Sequence, residues 1–194
     1  MASDAFLAMI AALRTCRACD DLPLGPRPVF QLSPTARLLI TSQAPGTKAH
    51  LSGLPFDDPS GERLRDWLGL DRERFYDGSR VAILPTGLCY PGRQPKGGDA
   101  PPRPHCAPLW HPRVLPQMPA VRLRLLVGGY AVRLVLGRAT RLEEAVRNHA
   151  RHQPRHFPLP HPSWRTLVWE KRNPWFAAEV LPALKLAVAQ ALTE

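Results

Sequence analysis

Ala36-Arg37-Leu38-Leu39-Ile40-Thr41-Ser42 is a short apolar run that passes straight into the turn Gln43-Ala44-Pro45-Gly46. A run of this length, rich in Leu and Ile and closed by Pro and Gly, reads as a buried strand ending in a loop. Two further runs share the pattern. Arg80-Val81-Ala82-Ile83-Leu84 stops at Pro85, and Leu123-Arg124-Leu125-Leu126-Val127 stops at Gly128-Gly129. Phe157-Pro158-Leu159-Pro160 is at most a short fourth strand, running into His161-Pro162-Ser163-Trp164.

Between these runs the apolar spacing changes to that of helices. Ala5 to Leu13 is helical, with Ser3 or Asp4 as its cap. Ser60 to Leu68 places Leu64, Trp67 and Leu68 on one face, and Tyr130–Leu136, Leu142–Arg151 and 174–192 complete the set. Strands alternating with helices predict an α/β sandwich around a mostly parallel sheet. Ligands of such sheets lie outside the carboxyl ends of the strands. The loop at 43–46, the loop after Leu84 and His161-Pro162-Ser163 are therefore expected to share one cleft.

Length and composition narrow the class. At 194 residues the chain is one domain's worth, and 44% hydrophobic with 22% charged residues excludes a disordered or fibrous protein. No apolar stretch is long enough to span a membrane. Met1-Ala2-Ser3-Asp4 has no basic and apolar leader, which predicts no secretory signal and a cytoplasmic location. Lys and Arg number 26 against 16 Asp and Glu, a net charge of +10. That surplus favours a polyanionic partner, since each cation set on a phosphate releases a counterion. The competing explanation is an Arg-rich composition with no partner. The 23 prolines are more than twice the usual share of about 5%. They gather at 85–119 and 154–162, both expected to be ordered, irregular loops.

The cysteines are Cys16 and Cys19, spaced C-x-x-C, and the widely separated Cys89 and Cys106. In a reducing compartment, pairs at ligand spacing suggest a metal site more than disulfides. Four thiolates suit structural zinc or an iron–sulfur cluster. The second pair is too wide for an ordinary zinc ribbon, and spacing alone does not choose the metal.

Gln43-Ala44-Pro45-Gly46, six residues, Gly53-Leu54-Pro55-Phe56 and then Ser60-Gly61 resemble the first motif of the bacterial family-four uracil-DNA glycosylases. That motif reads roughly G-E-x-P-G, six residues, G-x-P-F, a small residue and Gly. The second motif of that family, H-P-S, is matched by His161-Pro162-Ser163. Its four-cysteine pattern is matched in order and approximate spacing by Cys16, Cys19, Cys89 and Cys106. The resemblance runs from about Cys16 to Ser163. It implies a three-layer α/β/α sandwich on a four-stranded sheet, one domain over 1–194, with a [4Fe–4S] cluster held by loops 16–19 and 89–106. Zinc stays as the alternative metal.

The activity this implies is hydrolysis of the bond between uracil, or a related damaged base, and deoxyribose in DNA. The expected protein is a monomer acting on base-damaged DNA. Such a reaction takes the base out of the stack into a pocket and stabilises charge on it as it leaves. The resemblance makes His161 the donor to the departing base and Phe56 the aromatic that stacks on it. Ala44, Pro45 and Gly46 shape the loop whose backbone approaches the base. Ser163, Arg165 and Lys48 are candidates for phosphate contacts. The plain alternatives are a loop histidine, a core phenylalanine and solvated cations.

The departures fall on the acid–base set. Gln43 stands where the family has an acid, and an amide cannot take a proton as a carboxylate does. Ala49 and His50 replace an acidic pair, leaving His50 to orient water or bind phosphate. The family's Asn after the third cysteine is absent, and Gln94 is the one amide in reach. Asp57 and Asp58 either compensate or cap the following helix, and the cap is the favoured reading. Two other readings stay open: an iron–sulfur DNA- or lesion-binding protein of the same fold without glycosylase activity, and, on charge alone, an RNA-processing factor.

Overall fold

The computed structural model describes residues 3–95 and 97–193. Four strands form one sheet: β1 (Leu38–Thr41), β2 (Val81–Ile83), β3 (Leu123–Val127) and β4 (His156–Leu159). All pairings are parallel and the spatial order is β2-β1-β3-β4. Leu38 faces Val81 on one side and Leu123 on the other, while Arg124 pairs with His156. After β1 the chain first winds to one side, then crosses back to the other, so the switch point lies between β1 and β3. A ligand crevice is expected at the carboxyl ends there.

Both faces of the sheet are covered, which is why its strands read as continuous apolar runs. Leu38, Ile40, Val81, Ile83, Leu125 and Phe157 pack on α3 (Pro59–Leu68) and α9 (Leu181–Leu192) through Leu64, Trp67, Leu184 and Val188. Leu39, Ala82 and Leu84 turn the other way, onto α1 (Asp4–Arg14) and α5 (Cys106–Val114). A smaller group, Leu126, Ala131, Val132 and Ala145, is covered by α6 (Gly129–Leu136) and α7 (Leu142–Arg147). The result is the expected α/β/α sandwich, with every strand of its sheet parallel. Ser3 caps α1, its side chain accepting from the Phe6 amide. Leu64, Trp67 and Leu68 are buried as their spacing predicts.

The proline-rich stretches are more regular than their composition suggests. The expected loop at 85–119 contains α5, in which Pro108 occupies the first turn, where a missing N–H costs little. Between Gly46 and the next predicted helix, where the sequence shows no apolar periodicity, lies a short helix, α2 (Thr47–Ser52), ended by Gly53 at φ 77°. Another short helix, α4 (Arg72–Tyr76), is capped by Asp71. Phe157-Pro158-Leu159 belongs to a full strand, and Pro158 is tolerated there because β4 is at the sheet edge.

The helix expected over 174–192 is present as one stretch from Phe176 to Leu192, opening with a π-helical turn at Phe176–Val180 and continuing as α9; a separate short helix, α8 (Thr166–Arg172), precedes it. Pro182 lacks the N–H that would continue the regular ladder, and Leu181 bonds instead to the Phe176 carbonyl five residues back. No single helix among the described residues is long and apolar enough to cross a membrane.

Candidate active site

At the carboxyl ends of the strands lies a polar cleft of about 570 Å³. The loop after β1 supplies Gln43, Ala44, Pro45 and Gly46, the segment before α3 supplies Phe56 and Asp58, and the loop after β4 supplies His161, Ser163 and Arg165. Gln94, from the turn between β2 and α5, completes the predicted set on that surface. Four stretches far apart in sequence are thus brought together as the strand-end argument requires.

The β1 loop is fixed by β2's continuation. The Gln43 carbonyl accepts from the Gly87 amide at 2.8 Å and from the Thr86 hydroxyl at 2.5 Å. The Gln43 side chain donates to the Ala100 carbonyl at 3.1 Å, which leaves its oxygen as an acceptor. His161 sits on an equally fixed loop. Its carbonyl accepts from the Ser163 amide at 2.8 Å and from the Thr166 hydroxyl. Its ring lies against Gly128, whose φ of 86° is the backbone conformation that calls for glycine there. Burial holds the imidazole below its ordinary range, opposed by the negative charge of Asp58. His161 is therefore neutral at neutral pH and able to donate.

Phe56 has φ 58°, the only described non-glycine residue with positive φ. Its ring is 9% exposed and meets Phe75 edge-on, with centroids 6.2 Å apart. Phe56 is thus a buried core residue that also lines the cleft. Asp58 caps α3, its Oδ1 accepting from the Gly61 amide at 2.8 Å. It lines the cleft as well, so the cap and the carboxylate are one residue. Asp57 pairs with Arg72 at 3.1 Å.

Two predicted residues are not brought to the cleft. His50 is 5% exposed, with its ring centroid 6.1 Å from that of Tyr90. Its Nδ1 is buried without a hydrogen-bond partner among the described residues. Burial, and then Arg27, hold it below the ordinary range. The cause is α2, a helix instead of a loop, which turns Ala49 toward the cleft and His50 away from it. Lys48 is exposed on α2 and is likewise absent from the cleft wall. Sequence reasoning missed Asp99, Arg93 and Trp164, all on that wall. Trp164 directly follows His161-Pro162-Ser163 and was discoverable by adjacency. Asp99 carries no local signal, because the Gly-rich turn before it is simply a turn in the sequence.

The four cysteines are free and line a second cavity, between the loop after α1, the loop after β2 and the start of α5. Cys19 and Cys106 are buried, and Cys16 and Cys89 are half-buried. The Leu88 amide donates to Cys106 Sγ at 3.4 Å, and His105 Nε2 lies 3.1 Å from Cys19 Sγ. Burial raises the Cys89 thiol to about 12 and the Cys106 thiol to about 11. Among the described residues no three His, Cys, Asp or Glu side chains converge tightly enough to hold a single ion.

The fold is a parallel α/β sandwich whose strand-end cleft gathers His161, Phe56 and Gln43. The chain matches the family model of the Uracil DNA glycosylase superfamily over residues 29–185, and it belongs to that superfamily. Its members are typically hydrolytic glycosylases that act on DNA. The match begins after Cys16 and Cys19, so that pair stands outside it.

Proposed function

We propose that this chain is a monofunctional DNA glycosylase, hydrolysing the N-glycosidic bond of uracil or a related damaged base in DNA. The observation that carries this is His161: a neutral imidazole on a doubly bonded loop, sharing one cleft with Phe56 and Gln43. A cleft of this size suits a single extruded nucleotide. Phe56 stacks on the base, and the Gln43 oxygen and Gln94 amide read its edge. His161 donates to the base oxygen on which negative charge grows. Ser163 and Arg165 contact flanking phosphates. Trp164, 72% exposed with the Arg165 guanidinium 5.3 Å from its ring centroid, offers a flat surface to the opened duplex. Lys48, outside the cleft, adds charge for the DNA backbone. His50 has no part in this reading.

Within the superfamily the cysteine set favours the family-four, iron–sulfur type, acting as a single-domain monomer. Cys16, Cys19, Cys89 and Cys106 would hold a [4Fe–4S] cluster, with zinc as the alternative. A bare zinc ion needs four sulfurs about 2.3 Å from one point. A four-iron cluster holds them at separated corners, and the four thiols line one cavity. Bound there, the group supplies structural cross-linking of α1 to α5. The N–H···S contact to Cys106 is of the kind that supports a cluster sulfur.

The test is excision from a labelled oligonucleotide carrying one uracil, single-stranded and opposite guanine, followed by alkaline cleavage. His161→Ala is expected to lower the rate by about 10²–10³-fold with DNA affinity retained. A folded protein that binds the DNA and leaves every uracil substrate intact would instead favour the binding-protein reading.

A further inference from the structure

Gly46, at the tip of the β1 loop, faces two carboxylates from different parts of the chain. A Cβ built on it would lie 3.6 Å from Asp99 Oδ2 and 3.8 Å from Asp58 Oδ2. The two oxygens therefore flank one small space that the glycine leaves open. Both aspartates line the cleft together with His161. Asp58 holds the Gly61 amide through Oδ1, so Oδ2 is the oxygen on the cleft side.

Asp99 is placed by its backbone. The Gln94 amide donates to the Gly98 carbonyl at 2.9 Å, the Gln94 side chain to the Asp99 carbonyl at 3.1 Å, and the Ala100 amide to the Gly92 carbonyl at 2.8 Å. The Gln43 side chain ties the same turn to the β1 loop through Ala100. Among the described residues, the Asp99 carboxylate is in no ion pair. Gln43 thus helps to hold in place the turn that carries Asp99.

We propose that Asp99, with Asp58 beside it, is the carboxylate of the hydrolytic step, its Oδ2 holding the water that attacks the sugar carbon C1′. The assignment rests on reading this cleft as a glycosylase site. The base leaves with the electron pair of the C1′–N bond, and the sugar becomes cationic. The water oxygen bonds to C1′ while its proton passes to Asp99 and then to solvent. One water is consumed, and the products are the free base, which takes up a proton, and an abasic sugar bearing a hydroxyl. Two carboxylates facing C1′ also stabilise that cation before water arrives. Burial lifts the Asp99 carboxyl above its usual range, with Asp58 adding to the rise and Arg93 and Arg165 opposing it. A carboxylate of raised pKa is the stronger base.

The experiment uses the full chain, as wild type, Asp99→Asn and Asp58→Asn, the last retaining the helix cap. Single-turnover excision of uracil is followed from acidic to neutral pH. Wild type should lose activity as Asp99 is protonated, and Asp99→Asn should be about 100-fold slower with that acidic limb gone. A second readout needs no turnover: affinity for duplexes carrying a pyrrolidinium ring, a cationic sugar mimic, against a neutral tetrahydrofuran. Wild type should prefer the cation, and Asp99→Asn should lose about tenfold of that preference. Asp99→Asn working at the wild-type rate with the wild-type pH profile overturns the assignment and leaves the glycosylase reading standing. Absence of excision by wild type, with a cation preference that depends on Asp99, sinks the uracil reading and supports the carboxylate's placement at C1′. Neither excision nor preference overturns both.

Discussion

At the scale of single residues, Gly61 shows how tightly the first motif is built. A Cβ there would lie 1.8 Å from the Phe56 carbonyl oxygen, a backbone atom that cannot rotate away. The chain doubles back from Phe56, already at φ 58°, to start α3 against its own backbone, and only hydrogen fits at residue 61. Gly61→Ala is expected to destabilise the protein by about 2 kcal/mol or more and to displace Phe56. Thermal unfolding beside Glu62→Ala, on the exposed side of the same helix, checks this; equal melting temperatures would refute it. The sequence showed the glycine and its spacing. It did not show what the glycine avoids, because the clash depends on the path of the loop.

The elements carry function through their ends. Strand ends carry the cleft residues, and three of the thiols lie at helix ends: Cys16 and Cys19 follow α1 and Cys106 opens α5, while Cys89 lies in the loop after β2. These two helices cover one face of the sheet, in contact through Phe6, Met9, Leu13, Trp110 and Val114. A bound cluster would cross-link them without touching the cleft. Protein purified without oxygen should carry about four irons per chain and absorb in the visible. The double variant Cys19→Ser, Cys106→Ser should lose iron and melt at a lower temperature, whereas His161→Ala should retain both. Zinc in place of iron, or unchanged melting, would refute the cluster. Strand and helix positions were largely legible from periodicity. Those hidden were α2, with no apolar stripe of its own, α5, masked by its prolines, and the short α4 and α8. The first of these decided the fate of His50.

For the whole molecule, acid stability follows from where the histidines lie. Burial pushes His111 down to about 4, with Arg124 adding to the fall and the Pro85 carbonyl opposing it. Burial also lowers His50, His149, His156 and His161. The unfolded chain takes up these protons near pH 6.5, while the folded chain does not, so protons favour unfolding. Stability is complete above about pH 6.5 and falls as pH drops toward 4, with about 3 kcal/mol at stake for His111 alone. Asp99, raised by burial, acts in the opposite sense at the lower end. Melting temperatures at stepped pH should fall through this window, and His111→Gln should flatten the fall. A flat wild-type profile would contradict it.

What the sequence determined by itself is whatever depends on neighbours along the chain. Apolar run length set the strands, helical spacing set α1, α3 and α6, and Ser3 or Asp4 and the Asp57-Asp58 pair marked two helix starts, at which the structure uses Ser3 and Asp58. Motif order put Gln43, Phe56 and His161 at strand ends and loop tips. The tertiary structure decided what depends on neighbours across space: the order β2-β1-β3-β4, the inward turn of His50, and the meeting of Asp99 with Asp58 over Gly46. Periodicity is a local property of the backbone. The separation of two carboxylates more than forty residues apart is fixed only when the sheet and the loops it carries are packed together.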